Sequence, residues 1–238
     1  MLNGSRRQMQ MLGATTAMRN GKIRTGWKQD PVGVKANILA VARAEFAASG
    51  LSGARVDEIA AKTRTSKRMI YYYFGDKDGL YRTVLEDAYR SVRAGEEALE
   101  LGDLKPVDAL RRLVEFTFDH HSRNPDFIRL VMIENIHHAR YLAQSPDIKR
   151  LNKMAIDRLR KIYEQGLAEG AFRPGIKPLE LHWQISALSF FNVSNQATFA
   201  GIFGTALTRP SGQKALSAHI VEMVLRFVLK AELIKKYA

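Results

Sequence analysis

Cysteine is absent from the 238 residues of the chain. This absence excludes disulfide bonds, cysteine-ligated zinc sites and thiol catalysis, and it agrees with a reducing cytoplasm. Proline and glycine are scarce, with 7 and 17 residues, so long uninterrupted helices are permitted. No run of about 18 apolar residues occurs, and the stretch from Met9 to Met18 is too short and interrupted for a secretory signal. We therefore expect a cytoplasmic protein that does not span a membrane.

Negative charge is outweighed by positive charge, and the formal net charge is +13. Residues 1–30 carry six Lys or Arg and one acidic residue, residues 31–80 eight and five, and residues 81–238 twenty-three and eighteen. Relative to length, the positive charge is concentrated at the front, which suits DNA or an anionic membrane surface. Solubility alone also explains such a charge. Residues 1–30 show no apolar period, so we predict a flexible basic tail there.

The segment after this tail has the pattern of three short helices. Apolar residues recur every three or four positions from Val34, and Gly50 is placed to end that first helix. A short second helix comes next. Ser66 is placed to cap a third, on which Ile70 and Phe74 share one face. Three helices in about 45 residues, with a tight turn before the last, predict a helix-turn-helix.

The rest of the chain is also predicted to be helical. Asp76 is placed to cap a long fourth helix, and five later prolines divide the remainder of the chain. No β-branched runs alternate at period two, so we predict an all-α fold. Its parts are a helix-turn-helix domain over residues 31–80 and a larger helical domain over residues 81–238. The predicted later helices span approximately residues 106–123, 125–142, 146–169, 178–203 and 212–236.

The third helix carries the residues that indicate a function. If Ile70 and Phe74 are buried, Arg68 and Tyr72 point outward. Arginine bonds bidentately to guanine, methionine contacts a thymine methyl, and tyrosine hydroxyls reach phosphates. The alternative is that the aromatic side chains, Tyr73 above all, pack against neighbouring helices.

Lys77 gives a separate indication. It lies in the first turn of the fourth helix, where the helix dipole disfavours a cation. A DNA phosphate at that helix start would explain the lysine. An ion pair with Asp76 or Asp78 would explain it equally.

The segment from Val34 to Leu85 resembles the DNA-binding domain of the TetR family of repressors. The resemblance implies a ligand-responsive repressor that binds a palindromic operator as a homodimer. It also implies base contacts from the residues at the start of the third helix and phosphate contacts from residues around them. The matching landmarks are Ile38, Ala42, Phe46, Gly50, Val56 to Ala60, Ser66 to Phe74, Lys77, Leu80 and Tyr81. The complete predicted DNA-binding set is Arg55, Thr65, Lys67, Arg68, Met69, Tyr71, Tyr72, Tyr73 and Lys77.

The chain departs from the family pattern in two places, one position before the second helix and the three residues of the turn. Ala54 stands where the family usually has a threonine that caps the second helix. Thr63, Arg64 and Thr65 replace the usual Ala-Gly-Val of the turn. We predict that Arg64 lies where φ is positive, at a cost of about 1 kcal/mol, and that a contact with the DNA backbone offsets this cost.

The carboxy-terminal half is predicted to sense a ligand and to form the dimer. The last two long helices carry apolar stripes that would build a four-helix interface, although both could equally be core; the resemblance favours the interface. Polar residues on apolar helices mark a pocket for an aromatic or acyl effector. A loose similarity to the pyrimidine-responsive subgroup does not extend to Ser186 and Phe190, so no pyrimidine is predicted. The predicted pocket residues are Phe116, His120, Met132, Asn135, Trp183 and Phe190.

Other classes of function find little support in the sequence. Glu134 and His137 have the Glu-x-x-His spacing of di-iron bundles, with His120 and His121 as further ligands, but no second such motif occurs. Nucleophile-elbow, zinc-protease and phosphate-loop motifs are missing. A membrane-surface module would need an amphipathic face that the basic tail lacks. We predict no enzyme, no metal and no cofactor.

Overall fold

The computed structural model describes residues 30–237, and these residues form helices joined by short turns. Residues 1–29, which hold almost all of the predicted basic tail, lie outside this range. In the described part the one β feature is an isolated bridge between Phe172 and Leu229, so the all-α prediction is confirmed. The helices are α1 (Pro31–Gly53), α2 (Val56–Thr63), α3 (Lys67–Phe74), α4 (Lys77–Glu97), α5 (Pro106–Arg123), α6 (Pro125–Ile136), α7 (Pro146–Ala168), α8 (Pro178–Ser194), α9 (Gln196–Phe203), α10 (Pro210–Val228) and α11 (Ile234–Tyr237).

Local capping explains where most helices begin. The Ser66 side chain accepts a hydrogen bond from the Met69 amide at 3.2 Å, and Asp76 accepts one from the Gly79 amide at 2.6 Å, as predicted. Six helices open with proline, whose missing N–H would have no partner in the first turn. Gly50 interrupts α1 with φ of 69°, a conformation that costs glycine little.

Three predicted helix boundaries are wrong. The block 125–142 ends as a helix at Ile136, because His138 and Ala139 take left-handed φ values of 56° and 57°. The block 178–203 divides at Asn195 into α8 and α9. The block 212–236 begins at Pro210 and stops at Val228, where Leu229 turns to an extended conformation. None of these three helix ends is marked by proline, the signal from which the boundaries were predicted.

Two apolar clusters form the interior. The first joins α1, α2, α3 and α4, and it also includes Phe127, Ile128 and Leu130 of α6. The second joins α5, α7, α8 and α10 around side chains such as Leu110 and Leu225. The core beneath the helix-turn-helix therefore continues past residue 80 into α4 and α6, and these two helices connect the two halves.

Candidate DNA-binding surface and interior cavity

The helix α3 presents one buried face and one exposed face. Ile70 is fully buried and Phe74 is 8% exposed, whereas Tyr72 is 78% exposed and Arg68 is also exposed. In the structure, Arg68 and Tyr72 therefore point outward, as predicted. An exposed guanidinium and hydroxyl on a capped short helix can reach base edges and phosphates.

The other two tyrosines of α3 differ from Tyr72. Tyr71 is 37% exposed, and the Lys67 ammonium lies 5.9 Å from the centre of its ring. Tyr73 is half-buried and packs against the first apolar cluster, edge-on to Tyr72 at 5.4 Å between ring centres. The ring of Tyr73 thus packs against neighbouring helices, which was the alternative to DNA contact, while Tyr71 and Tyr72 remain at the surface.

Flanking charges form weak local contacts that DNA phosphates could replace. The Lys67 ammonium lies 3.1 Å from the Asp57 carboxylate, and the Arg55 guanidinium lies 4.0 Å from Glu58. Both pairs are exposed, and such pairs contribute about 0–1 kcal/mol. Thr65 and Met69 lie beside this surface, next to Ser66 and Arg68 in the chain.

Lys77 makes neither of the ion pairs that were predicted as alternatives to DNA. Its ammonium donates instead to the Ser52 carbonyl at 3.3 Å, which joins the start of α4 to the end of α1. The long flexible stem of lysine lets the ammonium reach past its own helix to this carbonyl.

The turn between α2 and α3 has the strain that its sequence predicts. Arg64 adopts φ of 52° and ψ of 33°, the left-handed region, and its side chain is exposed. Ala54 is 2% exposed and packs in the first cluster, while α2 begins without a side-chain cap. At the position where the family's threonine would cap α2, this chain therefore has an alanine that packs in the core instead.

A cavity of about 360 Å³ lies among α4, α5, α6 and α8. Five of the six predicted pocket residues line it, and Met132 does not. Met132 is 36% exposed and follows the lining residue Val131, which places it on a different face of α6. The predicted residues that line the cavity are Phe116, His120, Asn135, Trp183 and Phe190.

Several lining residues were missed in the sequence. Tyr89, Arg93 and Glu96 come from α4, Phe127 from α6 and His182 from α8. The residues of α4 recur at a spacing of four and three, which places them on one face. The charged residues Arg93 and Glu96 lie on a helix face that also carries the apolar Val92. This combination could have indicated a cavity wall from the sequence.

A buried ion pair forms part of the cavity wall. The Arg93 guanidinium contacts the Glu96 carboxylate, and it also donates to the Asn152 side chain at 3.2 Å. Glu96 is 6% exposed. The Arg93 Nε is buried, and within residues 30–237 it has no hydrogen-bond partner. Removing one member of such a pair would leave an uncompensated charge in the interior.

Three histidines face the cavity as neutral imidazoles. Burial, followed by the charge of His120, lowers the pKa of His121 to about 4. Burial, followed by the charge of Arg93, lowers the pKa of His182 to about 4 and also lowers that of His120. At neutral pH each ring therefore has one nitrogen that donates and one that accepts.

Helices α4 and α6 contact both the cavity and the DNA-binding helices. Tyr89 of α4 and Phe127 of α6 meet in the cavity wall at 5.2 Å between ring centres. Glu134 of α6 accepts from the backbone amides of Tyr141 and Leu142 at 3.1 and 3.0 Å, so this buried carboxylate fixes the loop after α6.

This loop is fastened to the first turn of α4. The Tyr141 hydroxyl donates to the Asp78 carboxylate at 2.9 Å, and burial together with that carboxylate raises the pKa of Tyr141. Asp78 follows Lys77 directly. The loop thus ends beside the surface that would face DNA.

A large apolar surface is exposed on α8, α9 and α10. On α10, Ile220 and Val224 are buried in the second cluster, whereas Met223 is 49% exposed. The apolar stripe of α10 therefore supplies both core and surface. Contiguous exposed apolar surface of this kind marks an interaction site. Exposed members of this surface include Trp183, Phe191, Ile202, Phe203, Met223 and Phe227. Among the described helices none combines the length and hydropathy needed to cross a membrane.

Comparison with known proteins agrees with this architecture. Residues 38–84 match the pattern described as bacterial regulatory proteins, tetR family, and residues 106–224 match the tetracyclin repressor-like C-terminal domain. The HTH-type transcriptional repressor NicS of Pseudomonas putida is 34% identical over 190 residues, which cover 80% of this chain and 90% of NicS.

Solved structures share the fold. The transcriptional regulator SCO4942 of Streptomyces coelicolor is 28% identical with a TM-score of 0.62, covering 82% of this chain and 98% of that one. The ketosteroid transcriptional regulator KstR2 of Mycobacterium tuberculosis has a TM-score of 0.62 at 21% identity, covering 82% and 95%. Because both halves match and NicS aligns along most of its length, this chain belongs to the tetR family of bacterial regulatory proteins, which regulate transcription and are not enzymes.

Proposed function

We propose that this chain is a cytoplasmic repressor that binds a palindromic operator as a homodimer and releases it when an effector enters the cavity. Residues 31–80 would bind DNA, and residues 81–238 would bind the effector and the partner subunit. The observation that carries the proposal is the exposed face of α3, where Arg68 and Tyr72 stand free of the core. The relative NicS is described as a transcriptional repressor, which supports the proposal that this chain represses transcription.

The DNA contacts divide into two groups. Lys67, Arg68 and Met69 lie in the first turn of α3 and would contact base edges, with Thr65 just before them. Phosphate contacts would position the helix without reading sequence. The residues proposed for them are Arg55, Tyr71, Tyr72, Tyr73 and Lys77.

The exposed apolar faces of α8 and α10 would form the dimer interface. Two helices from each subunit make a four-helix contact that removes this surface from water. A two-fold dimer places its recognition helices about 34 Å apart, the distance between successive major grooves on one side of DNA.

Effector binding would act on DNA through α4 and α6. Both helices line the cavity and also belong to the core beneath the helix-turn-helix. A ligand that separates Tyr89 from Phe127 would shift α4 against α6. The start of α4 lies beside the DNA-facing surface, so that shift would change the separation of the recognition helices.

Selection of operator DNA tests this function. The full chain is incubated with a pool of randomised duplexes, and bound sequences are recovered. We expect a palindrome bound with salt-dependent affinity and preferred over other sequences by about 10³-fold or more. Equal affinity for all duplexes would contradict the proposal.

The Arg68→Ala variant tests the assignment of a base reader. We expect specific binding to weaken by about 1–3 kcal/mol, with discrimination lost at one base pair. The control is Arg150→Ala, which removes an exposed arginine of α7 that pairs with Asp147. If operator affinity is unchanged in Arg68→Ala, Arg68 does not read a base.

A further inference from the structure

The cavity combines aromatic walls with a small set of buried polar groups. Phe116, Phe127 and Phe190 line it, and Trp183 lies at its edge with 73% of its side chain exposed. Rings of this kind favour offset and edge-on packing with a flat partner. A volume of about 360 Å³ fits a ligand of one or two rings, at the small end of ligand pockets.

Hydrogen-bond donors are gathered in one part of the wall. Arg93, His120, His121 and His182 all line the cavity. Burial lowers the pKa of each histidine, and the charge of Arg93 lowers it further. A guanidinium and imidazole N–H groups can donate hydrogen bonds to an anionic ligand.

Three nitrogen atoms of the wall lack a partner. The Arg93 Nε and the Nδ1 atoms of His120 and His121 are buried and have no hydrogen-bond partner within the described residues. His121 is 8% exposed. Buried polar groups without partners cost free energy, and a side-chain rotation that turns such a nitrogen toward a ligand with acceptors would remove that cost. A carboxylate has two acceptor oxygens, which can accept from the Arg93 guanidinium and from an imidazole nitrogen that carries its proton.

From these observations we infer that the effector is a small aromatic carboxylate, held by Arg93, His120 and His121 and packed against the phenylalanine rings. The inference rests on the proposed function only in naming the ligand an effector. The ring explains the aromatic walls, and the carboxylate explains the arginine and the histidines that line the cavity.

Titration calorimetry on the full chain tests each half of the inference. Benzoate and naphthoate are the probes, with benzamide and naphthamide as uncharged matches and cyclohexanecarboxylate as a non-aromatic match. We expect an aromatic acid to bind about tenfold or more tightly than its amide and than the non-aromatic acid. Equal binding of the amide overturns the carboxylate, and equal binding of cyclohexanecarboxylate overturns the aromatic ring.

Variants locate the binding site. His120→Phe keeps a ring but removes both nitrogens, and we expect the preference for acid over amide to fall about tenfold. His137→Phe, at an exposed position after α6, is the control and should keep the preference. An unchanged preference in His120→Phe overturns the assignment of His120.

The ion pair requires a paired substitution. Arg93→Gln alone would leave the Glu96 carboxylate buried without its cation, which threatens folding. Arg93→Gln with Glu96→Gln removes both charges and keeps hydrogen-bonding groups. We expect this double variant to lose the preference for the acid; a retained preference overturns the role of Arg93.

The outcome for ligand class is separable from the outcome for function. An aromatic acid that binds the cavity but leaves operator affinity unchanged supports the ligand class and contradicts the proposed switch. A different class of ligand that binds this cavity and releases the operator contradicts the ligand class and leaves the switch intact.

Discussion

At the scale of the residue, Arg64 is the clearest case of a side chain kept at a conformational cost. Its φ of 52° lies in the left-handed region, which favours glycine, and its side chain is exposed at the start of the DNA-facing helix. Strain of this kind persists where it serves a contact. We therefore expect the guanidinium to contact a DNA phosphate.

Arg64→Gly separates the two effects of this residue. The variant should gain about 0.5–1 kcal/mol of stability, because relief of the left-handed conformation outweighs the extra freedom of glycine in the unfolded chain, and it should lose operator affinity, with the salt slope reduced by about one. Chemical denaturation and DNA binding across a salt series measure the two. Glu100→Gly is the matched control, since Glu100 has φ of 48° outside the DNA-binding helices and should change stability alone. If Arg64→Gly binds DNA with unaltered affinity, Arg64 does not contact DNA and only forms the turn.

The buried histidines give the protein a predicted pH dependence. Because burial lowers the pKa of His121 from 6.5 to about 4 in the folded state, the unfolded state binds more protons between these values. Stability is complete above pH 6.5 and declines as the pH falls toward 4, by roughly 2–4 kcal/mol for this group.

Denaturant midpoints between pH 4 and 7 measure this decline. His121→Gln should reduce the slope of the profile between pH 6.5 and 4, since glutamine does not titrate. His137→Gln, at an exposed position, is the control and should keep the wild-type profile. A profile for His121→Gln as steep as the wild type would show that other groups govern the loss.

At the scale of the element, the loop after α6 acts as a fastening between α6 and α4. Glu134 holds its backbone, and the Tyr141 hydroxyl reaches Asp78 in the first turn of α4. Because α6 also lines the cavity, this loop is one route by which a ligand could move α4.

Tyr141→Phe removes one hydrogen bond to a charged partner and nothing else. We expect a stability loss of about 1.5–3 kcal/mol and a smaller effect of the effector on operator affinity. The control is Tyr163→Phe in the second cluster, where the hydroxyl donates to the Arg173 carbonyl at 2.8 Å and accepts from the Ile176 amide at 3.1 Å, so this variant also loses tyrosine hydrogen bonds but outside the loop after α6. If both variants keep the full effect of the ligand on DNA binding, the loop does not transmit it.

At the scale of the whole molecule, the exposed apolar faces of α8 and α10 call for a partner, and we propose a second copy. Met223→Glu places a charge on the 49% exposed Met223 in this surface. Sedimentation should then show a single chain of 26.8 kDa in place of a species of twice that mass. Met154→Glu on α7 is the matched control, since Met154 is 48% exposed outside this surface. A dimer that survives Met223→Glu would place the interface elsewhere.

Much of the front of the molecule was predictable because its signals are local. The Ser66 and Asp76 caps, the break at Gly50 and the left-handed Arg64 each depend on a few neighbouring residues, and all were read correctly. The cavity was predicted in part: polar residues in apolar surroundings indicated His120 and Asn135. The contribution of α4 was missed, because its charged face becomes a wall only when other helices pack around it.

The sequence by itself determined the helical class, the caps of α3 and α4, the direction of the α3 face and the family, since these depend on spacing and on short-range hydrogen bonds. The tertiary structure alone decided that α6 shares a core with the DNA-binding helices, that Arg93 and three histidines line one cavity, and which side of α10 is surface. An apolar stripe on one helix does not specify its partner. Burial and electrostatic surroundings are properties of residues that are distant in the chain, and they exist only after the helices have packed.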